Sequence, residues 1–137
     1  MKRVMVFGTF DMIHEGHLDM FRQARALVSD PQLIVSVSRD KSAERIKGVA
    51  PKHGELDRQK KVEACDLVDE VVIGDREGFI DHIVAARPDV IGLGYDQDSS
   101  YVRELQAELD RVGLPARVVR LKSFRPDIYK TSKLQGA

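Results

Sequence analysis

The chain is expected to form a single α/β domain over residues 1–137, with helices on both faces of a five-stranded parallel sheet. Three observations carry that expectation. Short apolar runs alternate with longer amphipathic stretches, as repeated strand–helix units require. A chain of 137 residues with 42% hydrophobic content has room for one ordinary core and not for two. The first apolar run ends at Gly8, and a helical pattern follows within ten residues.

Val4 to Gly8 reads as the first strand. His17 to Val28 follows as a helix, because Leu18, Phe21, Ala24 and Val28 share one face, and Asp30-Pro31 stops it. Leu33 to Ser38 is the second strand. Glu55 to Leu67 reads as a helix with Leu56, Val62 and Cys65 available for burial. Val71 to Ile73 is the third strand, and Phe79 to Ala86 a helix ended by Arg87-Pro88, since a residue before proline avoids the helical region. Val90 to Leu93 is the fourth strand, Tyr101 to Val112 a helix closed by Gly113 and Pro115, and Ala116 to Leu121 the fifth strand. The 16-residue connection Arg39 to Gly54 reads as a basic lid, with room for an extra helical turn. The whole is a Rossmann-like, doubly wound pattern, whose ligands bind beyond the carboxyl ends of the strands.

Composition narrows the function. Lys and Arg total 22, as do Asp and Glu, so no overall field draws the chain to nucleic acid, and the hydrophobic content argues against disorder. No apolar run approaches the roughly 20 residues of a membrane helix, and Met1-Lys2-Arg3 runs into a strand with no signal-peptide core. A cytoplasmic setting is expected. Cys65 is the one cysteine, which excludes an intrachain disulfide and suits small-hydrophobe packing; Met5 and Met20 are expected in the core too. Charge is uneven: residues 39–61 carry eight basic and four acidic side chains, and residues 117–137 six and one. Both segments are expected to converge on a small anion.

The residues joining the first strand to the first helix read Gly8-Thr9-Phe10-Asp11-Met12-Ile13-His14-Glu15-Gly16-His17. Gly8 and Gly16 let the backbone approach a ligand, and the helix start aims N–H groups and the positive dipole end at an anion. His14 and His17, three apart, can donate to phosphoryl oxygens as charge builds in a transition state. A zinc site would need a third ligand, and His53 and His82 fall in no ligand pattern, so no protein metal site is expected. Asp11 could orient an imidazole or cap the turn. Gly8 lacks the Gly-Lys-Ser/Thr of a P-loop, and Gly92-Leu93-Gly94 lacks the third glycine of a dinucleotide fingerprint, because Gln97 stands there.

This segment resembles the signature of the cytidylyltransferase-like nucleotidyltransferases, with its His-x-Gly-His motif. Ile46-Lys47-Gly48, Arg58, Val68-Asp69-Glu70-Val71, Gly94-Tyr95-Asp96-Gln97 and the run from Arg125 to Thr131-Ser132-Lys133 resemble further segments of the superfamily. The resemblance implies transfer of a nucleotide from a nucleoside triphosphate to a phosphorylated acceptor, with release of pyrophosphate and Mg²⁺ bound with the triphosphate. Within the superfamily, Gly-Tyr-Asp-Gln and the compact length are most similar to archaeal-type FAD synthases, which join ATP to FMN. CTP-dependent glycerol-3-phosphate cytidylyltransferases come next, but Asp66 and Tyr129-Lys130-Thr131-Ser132 depart from their pattern. Carried over by position, His14, His17, Lys47 and Arg125 would be catalytic. Thr9, Phe10, Glu15, Gly16, Asp96, Thr131 and Ser132 would join the two histidines in binding nucleotide, although Thr131 and Ser132 could equally cap a terminal helix. A homodimer is expected by the same resemblance. A nucleotide-binding sensor without turnover and a dinucleotide binder are the competing classes.

Overall fold

In the computed structural model, residues 2–94 and 99–123 are described, apart from the side chains of residues 46, 47 and 99. Ten elements follow one another: β1 (Lys2–Gly8), α1 (Glu15–Ala26), β2 (Pro31–Val37), α2 (Asp40–Lys47), α3 (Glu55–Glu63), β3 (Glu70–Ile73), α4 (Ile80–Ala86), β4 (Val90–Leu93), α5 (Ser99–Val112) and β5 (Arg117–Arg120). The strands form one parallel sheet in the order β3-β2-β1-β4-β5. The chain therefore winds outward from β1 in both directions, and order reverses between β1 and β4.

The pleat explains the two layers. Val4 and Val6 of β1 with Leu33, Val35 and Val37 of β2 face Phe21 and Ala24 of α1 and Val62 of α3. Their alternate neighbours Met5, Ile34 and Ile91 face Ile83 and Ala86 of α4 and Leu105 and Leu109 of α5. Because both faces of β2 are covered, residues 33–37 are buried without a break. Cys65 and Met20 pack against the first layer and Met5 lies inside the second, as expected.

Element boundaries differ from the sequence reading where side chains intervene. Helix α1 starts at Glu15 rather than His17, because His14 caps it. Pro31 opens β2 instead of merely stopping α1, a place where its missing N–H costs little. Helix α3 ends at Glu63, four residues before Leu67, in a turn where Cys65 N–H donates to the Val62 carbonyl. Leu56 is 63% exposed and plays no part in the core. The expected lid contains a helix, α2, closed by Gly48 at φ +81°. Asp69, in the segment preceding β3, accepts from Leu33 N–H at 2.8 Å and Arg25 Nη1 at 2.7 Å, which fixes where β3 joins β2.

Candidate active site

The β1–α1 loop leaves the sheet at the reversal of strand order. Phe10 takes φ +56°, which folds its ring back over Gly8, and the residue is 2% exposed. A Cβ on Gly8 would meet Phe10 Cζ at 2.6 Å. Gly8 thus makes room for the Phe10 ring, a use the sequence reading did not assign it. The Phe10 ring in turn meets His17 edge-on at 5.1 Å and Phe21 at 5.6 Å. This side chain packs the core.

His14 and His17 form a reciprocal cap. Gly16 N–H donates to His14 Nδ1 at 3.0 Å, and His14 N–H donates to His17 Nδ1 at 3.3 Å. The rings lie 3.9 Å apart and 31° from parallel. With both Nδ1 atoms accepting, each neutral ring carries its proton on Nε2. Burial holds the His14 imidazole below its ordinary value of 6.5, which favours this neutral form. Two Nε2–H donors therefore sit at the positive end of α1, where an anion is stabilised. The Gly16 N–H is directed to His14, so its contribution to a ligand runs through that ring. Glu15 is exposed at the first helical position.

A second layer of polar groups holds this loop. Asp11, 8% exposed, accepts from Lys52 N–H at 2.7 Å, His53 N–H at 2.9 Å and His53 Nδ1 at 3.0 Å. Burial pushes its carboxyl up, but these donors and the His53 charge outweigh burial and hold it below the usual 3.8. Asp11 does orient an imidazole, that of His53, which spacing alone did not pair with anything. Arg58 is fully buried and donates to the Thr9 carbonyl at 2.8 Å, the His53 carbonyl at 2.9 Å and Asp40 Oδ1 at 2.7 Å. It ties the β1–α1 loop, the α2–α3 connection and α2 together. The Thr9 hydroxyl accepts from Ser38 Oγ at 3.2 Å, fastening the same loop to the end of β2. Asp40 and Ser38 had no spacing signal in the sequence.

The first basic segment is partly neutralised: Arg39 pairs with Glu55 at 2.9 Å and Arg58 with Asp40 at 2.7 Å. Asp96, Arg125, Thr131, Ser132 and the Lys47 side chain lie outside the described residues, as does most of the second basic segment. Among the described residues no three His, Cys, Asp or Glu side chains converge to hold a metal ion. Asp11 is already surrounded by N–H donors, a setting that suits no cation. Among the described residues no helix is long and apolar enough to cross a membrane.

Solved structures share this architecture. The lipopolysaccharide core biosynthesis protein from Thermoplasma volcanium superposes with a TM-score of 0.81 and 31% identity, over 90% of this chain and 98% of that one. Pantoate-β-alanine ligase from Francisella tularensis, 12% identical with a TM-score of 0.62 over 90% of this chain and 60% of that one, shares the fold alone. Among curated relatives, the FAD synthase of Korarchaeum cryptofilum is 44% identical over 90% of this chain and 83% of its own length. That of Pyrococcus horikoshii is 40% identical over 96% and 88%. With residues 5–136 matching the Cytidylyltransferase-like family and the histidine-capped helix standing at the reversal of strand order, the chain belongs to that family.

Proposed function

We propose that this chain is an FMN adenylyltransferase, an FAD synthase that transfers AMP from ATP to FMN and releases pyrophosphate. The observation that carries the chemistry is the pair of stacked imidazoles, 3.9 Å apart, at the N-terminus of α1. The substrate pair rests on the relatives named FAD synthase, 34% to 44% identical over 90% or more of the chain. A flavin also needs apolar surface beside the phosphate site. Met12 and Val49 stay 41% and 68% exposed on the two segments that Asp11 joins.

An oxygen of the FMN phosphate attacks the α-phosphorus of ATP in line, and the bond to the β-phosphate breaks. His14 and His17 Nε2–H groups donate to the phosphoryl oxygens as charge moves toward pyrophosphate. Arg58 and Asp11 keep the loop and the α2–α3 connection in register, so the donors need no rearrangement at the moment of reaction. Lys47, Asp96, Arg125, Thr131 and Ser132 complete nucleotide binding in this reading. Mg²⁺ arrives on the triphosphate as part of the substrate and offsets its charge. A homodimer in the cytoplasm completes it; sedimentation equilibrium giving a single-chain mass would remove the dimer.

The test is pyrophosphate release with ATP or CTP crossed against FMN, glycerol-3-phosphate, phosphocholine and phosphoethanolamine. Turnover with ATP plus FMN alone is expected, and His17→Ala should lower kcat by roughly 10²- to 10³-fold with the fold retained. Turnover with CTP and a small phosphate would replace this reading with a cytidylyltransferase, an alternative that the Thermoplasma volcanium structure's association with lipopolysaccharide core synthesis keeps in the panel. Full activity of His17→Ala would remove the imidazole pair from the mechanism.

A further inference from the structure

Backbone strain in the loop between β1 and α1 falls on a residue whose side chain the mechanism leaves aside. Among the described residues three non-glycine positions take positive φ: Phe10 at +56°, Asp30 at +50° and Arg87 at +51°. Asp30 has the short polar side chain that tolerates this region, and Arg87 closes α4 as its C-cap. Phe10 is bulky and ends no helix. Such a conformation persists only where the surroundings hold it, and it marks a position whose side chain is wanted in one particular place.

That place is set by three contacts. The ring lies over Gly8, where a Cβ would stand 2.6 Å from Cζ and 2.7 Å from Cε2, so the space exists only because residue 8 has no side chain. It meets the core ring of Phe21 at 5.6 Å, and it meets the His17 imidazole at 5.1 Å and 63°, an edge-on pair. The His17 ring is also stacked on His14 at 3.9 Å. It thus has two aromatic neighbours, of which Phe10 is anchored in the core. His17 has use for that support, because its Nδ1 accepts from His14 N–H at 3.3 Å, a long bond that by itself holds a ring loosely. Turning the imidazole about its Cβ–Cγ bond would take Nδ1 off that N–H and aim Nε2 elsewhere.

We propose that Phe10 is a positioning residue for His17, and that residue 8 is a glycine so that the Phe10 ring can stand against the imidazole. The inference rests on the nucleotidyltransferase reading, in which His17 Nε2–H donates to phosphoryl oxygens. It names the group that fixes the aim of that donor before substrate arrives.

Kinetics with ATP and FMN, together with nitrogen NMR of the His17 ring, test it on the full chain at a temperature where every variant is folded. Phe10→Leu keeps an apolar side chain for the core but loses the flat ring. Its kcat should fall about tenfold with both KM values within about twofold, because the aim of Nε2–H matters most as charge builds. His17 should change from the Nε2–H form alone to a mixture of both tautomers. A residue that only filled the core would lower Tm and leave both readouts where they were. Gly8→Ala should reproduce both changes by driving the ring off the imidazole. The double variant Gly8→Ala/Phe10→Leu should be no worse than Phe10→Leu alone, since leucine has no Cζ for the new methyl to meet. Should Gly8→Ala not fold, the double variant carries the comparison. Wild-type kcat in Phe10→Leu, an unaltered His17 spectrum, or losses that simply multiply in the double variant would overturn the proposal. Wild-type protein inactive toward every acceptor would remove the nucleotidyltransferase reading, while the NMR comparison still decides whether Phe10 holds His17.

Discussion

His14 caps a helix only while its Nδ1 is free of a proton, so the cap and the donor arrangement share one titration. Because burial lowers the folded-state value below 6.5, the unfolded chain takes up a proton at a pH where the folded chain does not. The stability tied to this ring is complete above about pH 6.5 and is lost as pH falls from there toward the folded-state value. Asp11 and Asp69, both held below 3.8, contribute stability that is lost only in a more acidic range. The melting temperature should therefore fall between about pH 7.5 and 5.5. It should fall less in His14→Asn, which keeps a capping acceptor and does not titrate. Parallel curves for the two proteins would exclude His14 as the source. The motif itself was legible because two histidines and two glycines mark a strand-to-helix turn. The use of Gly8 was not, since nothing in a sequence announces a phenylalanine at positive φ folding back over it.

Helix α2 shows why some elements stay hidden. It has eight residues, of which only Ala43 is described as buried, so no apolar stripe marks it and the basic lid reading took its place. The longer helices α1 and α5 bury residues spaced three and four apart and were readable. Arg58, by contrast, sat in a helix read correctly, yet its partners lie 5, 18 and 49 residues away, and no local pattern reports such contacts. Its guanidinium spans three acceptors on three segments, a geometry that a single ammonium cannot reproduce. Arg58→Lys should cost about 2–3 kcal/mol, because the fully buried side chain loses hydrogen bonds to three part-buried acceptors. For a chain of this size that corresponds to a fall in Tm of roughly 5–10 °C. Activity should fall with it, because Thr9 and the α2–α3 connection lose their common anchor. A variant that melts with the wild type would show that the three contacts carry no net stability.

At the scale of the whole molecule, alternating patterns were enough to predict a parallel sheet covered on both faces, since each face needs its own apolar set. Strand order was not readable, because the pairing of β1 with both β2 and β4 is set by packing across the chain and not by neighbours in sequence. That order decides the site: it puts the carboxyl ends of β1 and β4 side by side, at the junction of two half-sheets, β3-β2-β1 and β4-β5, where this fold forms its crevice. A nucleotide held there contacts both halves and must stabilise them together. MgATP at about 100 times its dissociation constant should add roughly 2.7 kcal/mol, or about 6–10 °C in Tm. NAD⁺ should leave Tm unchanged, because the chain lacks the glycine pattern that seats a dinucleotide on this fold. A shift with NAD⁺ and none with ATP or CTP would mean that the histidine-capped helix faces a different ligand, and that the crevice has kept the fold of a nucleotidyltransferase without its substrate.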